Sequence, residues 1–202
     1  MLKIGVLDIQ GDVSEHGEML KKAFNIAGLN GEIKYVKNVK DLENINGIII
    51  PGGESTTISR LLKSTGLFYK IKDMASMGNL GVMGTCAGTI IISSDTGDPR
   101  VEPMKLINIK IKRNAYGRQY SSFEAMIDIK GLNTKFPAVF IRAPIIEQVL
   151  PDVEIMSVYN NDIVFVRKDK IYALTFHPEL TDNPYIHLMF IRSVGGISTG
   201  KE

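Results

Sequence analysis

LGVMGTCAGTIII, residues Leu80–Ile92, joins a short apolar run to a turn of small residues and then to a second apolar run. Leu80 to Met83 has the continuity of a strand covered on both faces. Gly84-Thr85-Cys86-Ala87-Gly88 has the form glycine–x–nucleophile–x–glycine, and a helix is expected to follow it. In an open α/β sheet that order lifts the middle residue above the carboxyl edge of the strands. The glycines permit a sharp turn and close packing. A helix amino terminus beside the thiol favours its thiolate form. Cys86 is therefore a candidate nucleophile. A small buried cysteine at a glycine-rich strand exit fits these five residues equally well.

Upstream, strand-like and helix-like segments alternate. Leu2–Leu7, Ile33–Val36 and Gly47–Ile50 read as strands. Asp12-x-x-Glu15 resembles a capping box that opens a helix carrying Met19, Leu20, Ala23, Phe24 and Ala27, with Gly28 placed to end it. Thr57–Leu62 and Leu67–Met77 read as helices. Downstream the pattern changes. Leu106–Ile111, Phe123–Ile129, Ala138–Ile141, Ile155–Tyr159, Ile163–Arg167 and Ile171–Thr175 read as strands without long helices between them, and a helix from about Tyr185 to Val194 closes the chain. The expected fold is α/β: an open, mainly parallel sheet with helices on both faces, flavodoxin-like and three-layered, plus a small antiparallel section. Residues 1–202 read as one domain, with a tail from about residue 195 expected to fray.

With 202 residues and 44% hydrophobic content, the chain can bury a sizeable core. A net charge of +2, with the basic residues interspersed among acidic ones, argues against a nucleic-acid surface. Cys86 is the only cysteine, so no internal disulfide can form, as suits a reducing compartment. No apolar stretch approaches the ~18 residues of a membrane span. A cytoplasmic location is expected.

Two further segments carry chemistry. In Thr175-Phe176-His177-Pro178-Glu179-Leu180, an extended backbone would put His177 and Glu179 on one side. A carboxylate there can hold the imidazole tautomer while the ring takes a thiol proton. A loop histidine beside a solvated glutamate is the plain alternative. Pro51-Gly52-Gly53-Glu54-Ser55-Thr56 follows another buried strand, and amides in such a loop can face a developing oxyanion. Its plain alternative is a turn opening the next helix with Ser55 as cap. The Gly-Lys-Ser/Thr ending of a phosphate loop is missing. His16, His177 and His187 show no metal-ligand spacing, and helix-surface roles suit His16 and His187.

PGGEST, GTCAG and TFHPEL, in this order, resemble the class I, triad-type glutamine amidotransferases. LDIQGDVSEH (Leu7–His16), RNAYGRQ (Arg113–Gln119), SFEA (Ser122–Ala125) and FIRAP (Phe140–Pro144) are similar to the vitamin B6 branch, the glutaminase subunits of pyridoxal 5′-phosphate synthases. The resemblance implies Cys86 as nucleophile, His177 as base and then acid, and Glu179 as its orienting partner. It implies an oxyanion hole from the backbone amides of Gly53 and Ala87. It assigns L-glutamine to Gly53, Glu54, Ser55, Arg113, Ile141 and Arg142. It further implies no metal or organic cofactor, and a synthase subunit, a (β/α)8 barrel, that receives the ammonia. Gln10, Gly11 and His16 are the candidate contacts with that partner. Asp8 departs from the pattern, standing where relatives often have a small residue. Three rivals stay open: the glutaminase subunit of histidine biosynthesis, a catalytically silent regulatory subunit, and a stand-alone hydrolase of γ-glutamyl peptides.

Overall fold

The computed structural model describes residues 1–112 and 122–197. The first half runs β1 (Leu2–Leu7), α1 (Val13–Ala27), β2 (Gly31–Val36), β3 (Gly47–Ile50), α2 (Ser55–Ser64), α3 (Leu67–Ser76), β4 (Gly81–Thr85), α4 (Ala87–Ile92) and β5 (Ser93–Asp95). The second half runs β6 (Ile107–Lys112), β7 (Ser122–Ile127), β8 (Phe136–Ile141), β9 (Ile145–Val149), β10 (Glu154–Tyr159), β11 (Asp162–Lys168), β12 (Ile171–Leu174) and α5 (Tyr185–Gly195).

One sheet is ordered β2-β1-β3-β4-β12-β11-β9-β6-β5, with β10 paired to β11, while β7 and β8 form a separate ladder. From β2 to β12 the pairings are parallel. From β12 through β11 and β9 to β6 they are antiparallel. The α/β fold is as expected, and its parallel half carries the motifs. The antiparallel strands extend this same sheet, and β9, missed in the sequence, completes it. The chain leaves β1 for β2 on one side and returns to β3 on the other. That reversal creates the crevice in which open α/β sheets hold ligands.

The side chains explain why the central strands read as unbroken apolar runs. Ile48, Ile50 and Val82 enter a core with Ile58 and Leu62 of α2, Phe68 of α3 and Ile91 of α4. Ile49 and Met83 point the other way, into a core with Leu20 and Phe24 of α1, Phe190 and Ile191 of α5, and Phe136 and Phe140 of β8. Successive residues thus bury on opposite faces, and neither face needs polar positions. No helix among the described residues is long and apolar enough to cross a membrane.

Three local expectations need correction. Asp12 does stand before α1, but its side chain makes no capping hydrogen bond. Ser55 does not cap α2; Glu54 does, its carboxylate accepting from the Thr56 and Thr57 amides. Residues Pro178–Leu180 form a 3₁₀ turn rather than an extended segment. Gly28 ends α1 in the left-handed conformation, as its position suggested. Asp8 is satisfied locally, with Lys37 Nζ 3.2 Å away.

Candidate active site

Cys86 follows the last residue of β4 and precedes the first of α4, with φ +47° and ψ −103°. A non-glycine residue at such φ carries strain, on the order of 1–3 kcal/mol, that the surroundings must hold in place. Here Leu174 of β12 holds it by accepting from the Cys86 amide at 2.8 Å. The Thr89 hydroxyl braces the same turn by donating to the carbonyls of Gly84 and Leu174. The flanking glycines serve packing. A Cβ on Gly88 would lie 2.0 Å from the Ile50 carbonyl oxygen, and one on Gly84 would lie 2.6 Å from the Gly88 backbone. The left-handed turn falls on the cysteine itself.

His177 lies just beyond the end of β12, where its amide donates to the Val139 carbonyl of β8 at 2.8 Å. Its Nδ1 is 2.8 Å from Glu179 Oε1, so the 3₁₀ turn closes the pair that the sequence reading assigned to an extended strand. A second carboxylate faces the same nitrogen: Asp12 Oδ2 lies 3.4 Å away. Burial opposes a charged imidazole, but hydrogen bonding with Asp12, Cys86 and Glu179 outweighs it and pushes the His177 pKa up to about 12. The Asp12 pKa is correspondingly lowered, chiefly by its hydrogen bond with His177 and against its own partial burial. That of Glu179 is raised, because burial outweighs the imidazole beside it. With Nδ1 turned to the carboxylates, Nε2 is the nitrogen left for the thiol.

Cys86 and His177 open into one cavity of about 560 Å³, lined also by Asp12, Gly53, Glu54, Ile141 and Arg142. That volume lies within the roughly 300–1,000 Å³ of small-molecule sites. The arrangement can pass a thiol proton to an imidazole that a carboxylate orients, which is the requirement for acyl transfer.

The sequence comparisons agree with this chemistry. Residues 6–195 match the profile of the SNO glutamine amidotransferase family. The chain belongs to that family. It is 43% identical over 194 residues to the pyridoxal 5′-phosphate synthase subunit PdxT of Haloarcula marismortui, covering 96% of this chain and 98% of that protein. It is 45% identical over 195 residues to PdxT of Thermococcus kodakarensis, covering 95% and 98%. Among solved structures, a glutamine amidotransferase superposes with a TM-score of 0.85 at 36% identity, over 95% of this chain and 98% of the other.

The remaining candidates can now be located on this amidotransferase. Gly53 and Ala87 both line the cavity. Gly53 has φ +144°, and Ala87 is the first residue of α4, where helix amides lack an intrahelical partner. Ser55 also lines the cavity, and among the described residues its buried hydroxyl has no hydrogen-bond partner. Burial tends to raise the Glu54 pKa, yet hydrogen bonds from Thr56 and Thr57 bring it down to about 2, so the carboxylate stays ionised. The Ile141 carbonyl is 3.7 Å from the Cys86 thiol. Arg142 follows at φ +44°. Arg113 and RNAYGRQ lie outside the described residues.

The three partner candidates separate. Gly11 is exposed, and a Cβ there would lie 2.0 Å from the Gly52 carbonyl oxygen. Gln10 is half-buried, and its side-chain oxygen accepts from the Glu54 amide at 3.1 Å. His16 is 0% exposed and has no surface to offer a partner. His187 is also 0% exposed, so neither histidine holds the helix-surface role expected of it.

Asp12 is the site residue the sequence reading missed. Its spacing to Glu15 mimics a cap, yet an acid just past the end of β1 lies at the carboxyl edge where such sheets place their sites. Asp12, His177 and Glu179 each offer a ligand atom within 4.8 Å of the others, and among the described residues they form the group able to hold a cation. The proton held on His177 satisfies the same two carboxylates.

Proposed function

We propose that this chain is the glutaminase subunit of a pyridoxal 5′-phosphate synthase, hydrolysing L-glutamine to L-glutamate and ammonia. One observation carries the proposal. A strained cysteine and an imidazole–carboxylate pair share one cavity, on a chain similar over nearly its whole length to proteins named as subunits of that synthase.

In the first step the Cys86 sulfur, its proton already held on His177, attacks the side-chain amide carbon. The amides of Gly53 and Ala87 face the developing oxyanion. His177 returns the proton to the leaving nitrogen, ammonia departs and a glutamyl thioester remains. Water, losing a proton to the same ring, then releases glutamate and restores the Cys86–His177 pair. Glu179 keeps the imidazole oriented and balances its charge. Arg113 and Arg142 are the cations for the substrate α-carboxylate, and Glu54 is the ionised group for its α-ammonium. Ser55 and Ile141 complete the glutamine site. No step calls for a metal or an organic cofactor.

The ammonia goes to a synthase subunit, a (β/α)8 barrel, docked on the exposed rim around Gly11, with Gln10 beneath it as the tie to the Gly53–Glu54 loop. Residues 1–202 act as a single amidotransferase domain, and the lone thiol suits the reducing cytoplasm. The test is glutamate release from L-glutamine by the purified chain, with and without the synthase subunit, beside Cys86→Ala. Strong stimulation by the partner that vanishes in Cys86→Ala is the expected result. High activity that ignores the partner would replace the proposal with a stand-alone hydrolase. Inactivity throughout would replace it with a silent subunit.

A further inference from the structure

Behind the triad lies a group of buried polar side chains that none of these steps uses. Glu179 Oε2, the oxygen turned away from His177, makes no hydrogen bond of good geometry among the described residues, and the group facing it is His16 Nε2 at 3.4 Å. The same nitrogen is 3.3 Å from the hydroxyl of Thr85, the residue before the nucleophile. The other nitrogen of His16, Nδ1, is 2.9 Å from His187 Nε2. Both rings are 0% exposed.

One proton assignment satisfies this arrangement. A buried carboxylate oxygen accepts, so His16 carries its hydrogen on Nε2 and shares it between Glu179 and Thr85. Nδ1 of His16 must then accept, so His187 donates from Nε2. That leaves His187 Nδ1 as a bare acceptor, and among the described residues it has no partner. An unfilled acceptor is the less costly kind of orphan, since buried N–H groups are hardly ever left unpaired. Both rings are neutral in this assignment. Burial holds the His16 pKa well below 6.5, helped by His187 and His177, and burial lowers that of His187 to about 3. A contact of 3.4 Å is long for a hydrogen bond at rest, and such contacts in catalytic groups tighten once substrate is bound.

We propose that His16, held in one tautomer by His187, is a positioning residue that braces both arms of the triad, the Glu179 carboxylate and the Cys86 turn through Thr85. The proposal rests on the glutaminase function above. The groups facing His16 are His187 from α5, Thr85 from β4 and Glu179 with His177 beyond it. Removing the Nε2 donor leaves a buried Glu179 oxygen bare, which favours a neutral carboxyl and weakens its hold on the imidazolium.

The test pairs kinetics of the glutaminase–synthase complex with ring-nitrogen NMR of the isolated chain. His16→Phe should lower kcat by about 10²-fold, the scale of a slight misplacement at a reacting centre, with little change in KM. It should also shift the His177 titration to lower pH. His16→Gln puts an amide donor where Nε2 stood and should recover most of the loss. In the wild-type chain NMR should show His16 as the neutral Nε2–H form. A wild-type kcat and titration in His16→Phe, or no recovery in a folded His16→Gln, overturns the proposal. So does an Nδ1–H form of His16, which decides the matter even where His16→Phe fails to fold. A wild-type complex with no glutaminase activity would instead sink the function, with the tautomer still to be read.

Discussion

His177 and His16 stand on either side of one carboxylate, Glu179, and are driven in opposite directions. On the cavity side, Glu179 and Asp12 both face Nδ1 of His177 and the Cys86 thiol lies nearby, so the ring holds its proton to about pH 12. On the buried side, His16 meets a hydroxyl, a second imidazole and only the far oxygen of Glu179, and burial keeps it neutral. Proximity to an acid therefore does not set the charge of an imidazole. The count of anions against the depth of burial does. The opening of the cavity divides the proton-transferring ring from the scaffolding ring.

Removing the proton-transferring ring should have the largest effect. His177→Asn should cut glutamine hydrolysis in the presence of the synthase subunit on the order of 10⁴-fold or more, with the circular dichroism spectrum unchanged. Replacing the shared acid comes next. Glu179→Gln should cost about 10³-fold in kcat, because a neutral amide neither balances the imidazolium nor fixes its tautomer. Asp12→Asn sharpens the contrast further. Its anion stabilises the protonated ring, so its removal should lower the His177 pKa, while Glu179 limits the loss of kcat to about tenfold. NMR titration of His177 beside the rate measurement would check both; an unmoved titration would show that Asp12 is not felt by the ring.

The smallest effect is on stability and has opposite signs on the two sides. The folded-state pKa of His187 is depressed to about 3 from 6.5, so between those values the unfolded chain binds the extra proton. Its contribution is complete above pH 6.5 and is lost on acidification, by up to ~1.4 kcal/mol per pH unit. The raised pKa of His177 works the other way: its contribution is complete below pH 6.5 and fades as pH rises toward about 12. Urea unfolding between pH 4 and 7 should therefore show a shallower acid loss in His187→Phe than in the wild type. Equal slopes would mean that His187 takes up its proton when folded.

The parallel core was legible because β3 and β4 are buried on both faces, which leaves Thr85, at the end of β4, as the one polar residue of the two strands. The cysteine turn was legible because glycine is required wherever a Cβ would strike backbone. The buried histidines were missed although the periodicity contained them. His16 falls on the helical face of Met19, Leu20, Ala23 and Phe24, and His187 on that of Phe190, Ile191 and Val194. Histidine is most often a surface or half-buried residue, so its type argues against the buried position that the spacing gives it. Asp12 failed for a related reason. Its cap-like spacing is a local signal, whereas its partner His177 arrives from the far end of the chain, and only the sheet order brings the two together.

The left-handed backbone at Cys86 bears on how such a protein could decay. Glycine at that position would keep the turn and shed the strain, which less its own entropy cost comes to on the order of 1 kcal/mol. Cys86→Gly should accordingly melt slightly above Cys86→Ala, which differential scanning calorimetry would resolve. A lineage released from selection for catalysis would find that substitution downhill in stability. The thiol stands at a position where idleness would favour its loss.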